Sequence, residues 1–342
     1  MLINQVNKLM SKRNWYFLAR YVHNQCIQTG GILHPLESRK LLNISGDDVP
    51  GFLQGLITND MRHFDEGAKS VYTMFLNNKG RVLYETLIHK GQNESYLIEC
   101  DHSVLNSIQK HLKMFKLRRK LAIAVKEDLK LWALTSISDI KPTSEEISIY
   151  KDPRLSDLGF RVLAPTSLSG SDIAAKISDK TLVRDNEDDY KLLRYSLGVS
   201  EGVTDVPLGS CIPLEANCDY LHGVSFHKGC YIGQEVTARV HHTGVVRKRL
   251  MPVKFNEEIK DKIECDATIS ATNNPKKNLG KLRGYCKDYG LGLIRIKEAC
   301  EAESLTIGKY TAKVIKPSWW PIEAPKEKLN SFSFYEEESG YE

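Results

Sequence analysis

The feature that most constrains this chain is a turn-forming tetrad, Asn77-Asn78-Lys79-Gly80, set between two strand-favouring runs at residues 71–76 and 81–89. Such a tetrad folds the chain back on itself, so the segment predicts a β-hairpin and with it an antiparallel sheet. Residues 95–100 supply a third strand and residues 40–44 an earlier one. Between the early strand and the hairpin, Asp47 or Asp48 can cap a helix whose first turn holds Pro50. Val49, Phe52, Leu53, Leu56 and Ile57 then recur at one helical face. A second helix is predicted within 103–117, from Val104, Ile108, Leu112 and Phe115, before residues 121–125 and 129–135 return to strand character. This order of elements is that of an α+β fold with a mainly antiparallel sheet.

Residues 136–158 are rich in Ser, Asp, Glu and Pro and read as a loop or boundary. A second α+β unit follows: a strand at 159–164, a short helix at 171–177, and a helix at 188–197. The last has Tyr190, Leu193 and Leu197 on one face and Gly198 as its stop. From about residue 245 the pattern changes to evenly spaced short strands at 245–255, 263–269, 279–288, 291–296 and 305–315, which suggest a small barrel. The expected organisation is therefore an extension at 1–30, α+β units at 31–140 and 141–244, a barrel at 245–325 and a disordered acidic tail at 326–342.

The first thirty residues carry Lys8, Lys12, Arg13 and Arg20 but no acid, which is the character of a mitochondrial presequence and implies the matrix. The eight cysteines, at 26, 100, 211, 218, 230, 265, 286 and 300, form no C-x-x-C pair and fit a reducing compartment. No apolar run approaches the roughly 18 residues that span a bilayer, so membrane insertion is not expected. A net charge of +5, spread along 342 residues, gives no reason to expect nucleic acid. The densest cationic cluster, Lys116, Arg118, Arg119 and Lys120, suits the negative end of a helix; an anion or partner site is the alternative reading.

The chemistry concentrates in Lys228-Gly229-Cys230-Tyr231-Ile232-Gly233-Gln234-Glu235, followed by Arg239, His241 and His242. Glycines bracket a cysteine in a tight loop with cations close by in sequence, a setting that favours the reactive thiolate. Cys211, Cys218, His222 and His227 stand near, yet their spacing lacks the closely paired ligands of a structural zinc site.

This octapeptide resembles the signature of the YgfZ/GcvT-like, folate-binding-type family, and residues 42–60, 75–87 and 213–250 also resemble family segments. The resemblance leans towards the family's mitochondrial iron–sulfur cluster assembly branch. It implies two interlocked α+β units with antiparallel sheets around a central channel, plus a C-terminal β-barrel. It further implies assistance to 4Fe-4S maturation together with an A-type iron–sulfur scaffold protein. Cys230 would be one ligand of a transient 2Fe-2S cluster, and the remaining ligands would come from the partner or a small thiol such as glutathione. On this reading Gly229 and Gly233 let the loop approach the partner, Lys228 and Arg239 favour the thiolate, and Gln234 or Glu235 fixes the loop.

In the resembled aminomethyltransferases the channel holds tetrahydrofolate, and an acid in the segment matching residues 80–85 is catalytic. Those enzymes carry paired aspartates where this chain has Tyr84-Glu85. Glu215 and Arg239 match positions of the family's pterin pocket. The alternative function is thus a tetrahydrofolate-dependent one-carbon transferase or a folate-binding regulator.

Overall fold

The structure is a computed structural model describing residues 30–137, 140, 144–244 and 246–321. The expected presequence, apart from Gly30, and the expected acidic tail lie outside the described residues.

After a short strand β1 (Ile32–Pro35), β2 (Arg39–Gly46) leads into α1 (Val49–Gln54), where Asp48 caps the helix by accepting from the Gly51 amide at 2.9 Å. The apolar spacing predicts a longer helix. It ends at Gln54 instead, and the buried Leu56 and Ile57 continue as a turn and a single bridge to Phe75, because backbone carbonyls of this stretch are drawn to Lys228. The hairpin of β3 (Ser70–Leu76) and β4 (Val82–Lys90) closes as expected, with the Asn77 side chain accepting from the Lys79 and Arg81 amides. Then come β5 (Tyr96–Asp101), α2 (Leu105–Lys116) and β6 (Leu121–Val125). The first sheet has the order β3-β4-β5-β2-β6, antiparallel throughout.

The second sheet uses β7 (Leu129–Thr135), β8 (Ser148–Lys151), β9 (Phe160–Pro165) and, after α3 (Gly170–Ile177), β10 (Leu182–Val183). Its order is β10-β1-β7-β9-β8, with only the β10–β1 pair parallel. β1 and β7, both from the first part of the chain, therefore belong to the second sheet, and this strand exchange is the interlock. β8 falls inside the Ser/Asp/Glu-rich stretch that composition predicts as a loop; it buries only Tyr150. α4 (Asp188–Leu197) stops at Gly198, which takes φ 77°, and α5 (Gly202–Asp205) follows.

Beyond α6 (Gln234–Thr243), six strands close a barrel: β11 (Lys248–Phe255), β12 (Thr268–Ala271), β13 (Asn274–Cys286), β14 (Tyr289–Arg295), β15 (Leu305–Ile307) and β16 (Tyr310–Val314), with α7 (Ile296–Glu301) between β14 and β15. The single strand expected at 305–315 is a hairpin, turned at Gly308 with φ 57°.

Alternation along the strands sorts the core. Leu42, Ile44, Val71, Phe75, Ile88 and Ile98 face outward on the first sheet and pack beneath α1 and α2. Their neighbours Leu41, Tyr72, Met74 and Leu87 face inward, meeting Leu131, Ala133 and Leu163 of the second sheet, Tyr190 and Tyr195 of α4, and Leu250 and Leu291 of the barrel. Buried within this same junction is an ionic network. Arg39 bridges Glu85 and Glu99, both at 2.9 Å; Arg161 reaches Glu99 from the opposite sheet at 3.2 Å; Arg154 holds Asp152 and Glu201, both at 2.8 Å; and Arg194 holds Asp205 at 2.9 Å. Charges this deeply buried are tolerable only when paired and hydrogen-bonded.

Candidate functional site

The cysteine loop is seated on the segment that follows α1. Ser225 donates its amide to the Thr58 carbonyl at 3.0 Å, Ile232 to Gly55 at 3.1 Å, and the Thr58 hydroxyl donates to the Gly223 carbonyl at 2.7 Å. Asn59 donates to both His222 and Tyr72 carbonyls, at 2.8 and 2.7 Å. Two stretches that lie about as far apart as residues 55–60 and 222–232 thus form one cradle.

Lys228 is its main fastening. The ammonium donates to three backbone carbonyls, Gln54 at 2.7 Å, Ile57 at 2.9 Å and Asn59 at 2.6 Å, and lies 5.0 Å from the centre of the Tyr231 ring. Burial pulls its pKa from the usual lysine range to about 8, and at neutral pH it remains a charged triple donor. Its donors are turned inward and used on the chain itself, so besides any effect of its charge on the thiolate Lys228 has an anchoring role that the sequence alone does not suggest. Arg239 sits exposed on α6 with no ion pair among the described residues.

Gln234 does fix the loop, its side-chain oxygen accepting from the Tyr231 amide at 3.1 Å, whereas Glu235 is exposed and makes no hydrogen bond among the described residues. The two glycines differ. Gly233, at φ 78°, is buried against the hairpin turn, where an added Cβ would stand 2.3 Å from the Asn77 carbonyl oxygen; Gly229 is exposed with open space around it. Close approach at Gly233 is therefore to the hairpin, and only Gly229 lies open to a partner. α6 itself went unpredicted, since Thr237 is its one buried residue. It is further tied down by stacking of His241 on Phe226, with ring centroids 3.6 Å apart.

What remains at the surface of this cradle is Cys230, exposed and with no hydrogen bond among the described residues, whereas the exposed Cys265 and Cys300 belong to the barrel. Cys211 and Cys218, its near neighbours in sequence, are buried, and burial pushes the Cys211 thiol up to about 12 and the Cys218 thiol well above its ordinary value. Among the described residues no three His, Cys, Asp or Glu side chains are placed to hold a metal ion.

The acids matched to the family's pterin pocket and catalytic position, Glu215 and Glu85, are both engaged with the chain itself. The Glu215 carboxylate caps its own 3₁₀ turn, accepting from the Ile212 amide at 3.0 Å. Glu85 is buried and committed to Arg39, and it also accepts from the Gly202 amide at 3.2 Å. Two clefts, of about 620 and 320 Å³, share Ser70, Pro153 and His222 in their walls, and neither reaches Glu215 or Arg239. No step through folate is derived from this arrangement.

Residues 247–322 match the family described as CAF17, C-terminal beta-barrel domain. The chain is 35% identical over 313 residues to the iron-sulfur cluster assembly factor IBA57, mitochondrial, of Mus musculus, covering 84% of this chain and 85% of that protein. It is 34% identical over 309 residues to the Homo sapiens protein of the same name, covering 84% of each. Among solved structures, the glycine cleavage system aminomethyltransferase T from Bartonella henselae superposes with a TM-score of 0.64 at 13% identity, covering 86% of this chain and 88% of that one, which shows a shared fold. By the relatives' extent and the shared fold, this chain belongs to the YgfZ/GcvT-like family, in its branch of IBA57 iron–sulfur cluster assembly factors.

Proposed function

We propose that this protein is a mitochondrial iron–sulfur cluster assembly factor that lends Cys230 to a 2Fe-2S cluster shared with a partner. The observation that carries the reading is the contrast between one exposed thiol on a pinned loop and neighbouring thiols that burial holds protonated. Soft thiolates suit iron–sulfur chemistry, and a lone cysteine leaves most of the coordination shell to be filled from outside. An A-type scaffold protein is the proposed source of the other ligands, with glutathione able to supply a further thiolate. The cluster is cargo, held during transfer rather than kept. The acid-free segment 1–30 would direct import to the matrix.

Anaerobic mixing of the full chain with an A-type scaffold and a 2Fe-2S source tests this. The expected result is a heterocomplex with 2Fe-2S visible absorbance and the cluster's mass in native mass spectrometry. Cys230→Ser should abolish the cluster-bound complex while leaving circular dichroism and melting close to wild type. Assembly of the same complex by Cys230→Ser would reduce Cys230 to a surface thiol and refute the assignment.

A further inference from the structure

The carboxyl end of α2 presents a surface that the cluster reading does not use. α2 turns Ile108 and Leu112 into the core, and the opposite stripe carries Lys110, Lys113 and Met114. Just beyond it, Leu117 stands at φ 49°, ψ −120°, in backbone territory that favours glycine, with 85% of its surface exposed; Met114 is 63% exposed. A glycine would serve this turn without strain. Two large aliphatic side chains left in water, one of them on strained backbone, are not explained by the fold.

Their surroundings are predominantly basic. Residues 102–126 contain no Asp or Glu, while Lys110, Lys113, Lys116, Arg118, Arg119 and Lys120 crowd the same end. Facing elements contribute two acids at this end: Asp48, ahead of α1, pairs with Arg119 at 3.4 Å, and Asp47 donates its amide to the Lys120 carbonyl at 3.2 Å; the other five cations have no ion pair among the described residues.

We propose that this tip is a docking surface for an anionic lipid bilayer. Met114 and Leu117 enter the interfacial layer while the surrounding lysines and arginines meet lipid phosphates. Aliphatic tips rising inside a ring of cations match a layer in which apolar chains lie beneath anionic headgroups. The clefts of about 620 and 320 Å³ are lined by other residues, so neither supplies a polypeptide groove at this end. Attachment here is peripheral: no helix among the described residues is long and apolar enough to cross a membrane.

Vesicle flotation of the full chain tests the proposal, using phosphatidylcholine alone and phosphatidylcholine with about one-third phosphatidylglycerol. Wild type should float with the anionic vesicles only, and less so as salt is raised. Met114→Ser with Leu117→Gly should weaken binding by roughly tenfold or more, and Lys113→Glu with Arg118→Glu by a similar factor. The Leu117→Gly change relieves backbone strain, so melting at or above that of wild type will confirm that the variant is folded. Three results would overturn the proposal: wild type that does not float, an apolar variant that floats like wild type, or displacement of wild type from vesicles by polyglutamate that binds the apolar variant equally well. The last would assign the tip to an acidic protein partner.

Discussion

Replacing Lys228 with methionine keeps the aliphatic stem and removes the triple donor, which isolates the anchoring role of the ammonium. Three carbonyls, of Gln54, Ile57 and Asn59, then lose their partner at once. A buried acceptor left unsatisfied costs about 1–3 kcal/mol, and the half-buried setting lets water relieve part of this, so the low end for each carbonyl gives about 3 kcal/mol in all. For a body of this size, with about 2 cal/mol/K of unfolding entropy per residue, that loss lowers the melting temperature by about 5 °C. Differential scanning calorimetry of wild type, Lys228→Met and Cys230→Ser is the assay, with hydrogen exchange of the amides of residues 223–232 as the local readout. Lys228→Met should melt early and exchange fast across the cradle, whereas Cys230→Ser should do neither. If Lys228→Met melts within about 1 °C of wild type while the pH profile of Cys230 alkylation moves, the lysine acts on the thiol and the anchoring argument is wrong.

Gly233→Ala should destabilise by about 2–4 kcal/mol, because φ 78° and a Cβ 2.3 Å from the Asn77 oxygen force the loop off the hairpin, while Gly229→Ala should stay within about 0.5 kcal/mol of wild type; chemical denaturation of the pair checks the contrast, and equal effects would count against it. His34 is buried with its pKa lowered by desolvation to about 4 from 6.5. The unfolded chain therefore takes up this proton first, so stability falls as pH drops from about 6.5 towards 4, by up to about 3 kcal/mol. His34→Gln should flatten that part of the melting-versus-pH curve, and an unchanged slope would assign the acid sensitivity to other groups.

Local signals were legible in this chain, and long-range ones were not. The hairpin at Asn77–Gly80, the Gly198 stop and the barrel strands declare themselves within a few residues, because turn chemistry and apolar alternation act over that range. β8 hid in polar surroundings, since a strand that buries one tyrosine carries no alternation to read. α6 hid for the same reason. The Cys230 loop stands out as a motif, but the anchoring contacts of Lys228 do not, because its carbonyl partners lie about 170 residues away and only the tertiary fold brings them together. Glu85 matched a catalytic acid and Glu215 a pterin pocket by position, while their partners, Arg39 and the Ile212 amide, depend on how the chain closes around them.

The ionic network also bears on how the molecule can be divided. Its members come from β2, β4, β5, β9, α4 and α5, and on the barrel side the position of a Gly284 side chain is already taken by the Tyr195 hydroxyl, which donates to Asp205 at 2.6 Å. A fragment cut between the two sheets would leave Arg39, Glu85 and Glu99 on one piece and Arg154, Arg161, Arg194 and their acids on the other, parting Glu99 from Arg161 and opening both sets of charges to water. Neither piece could bury its share of the junction, so the halves are complementary parts of one cooperative unit, and pieces expressed separately would have to find each other before either could fold.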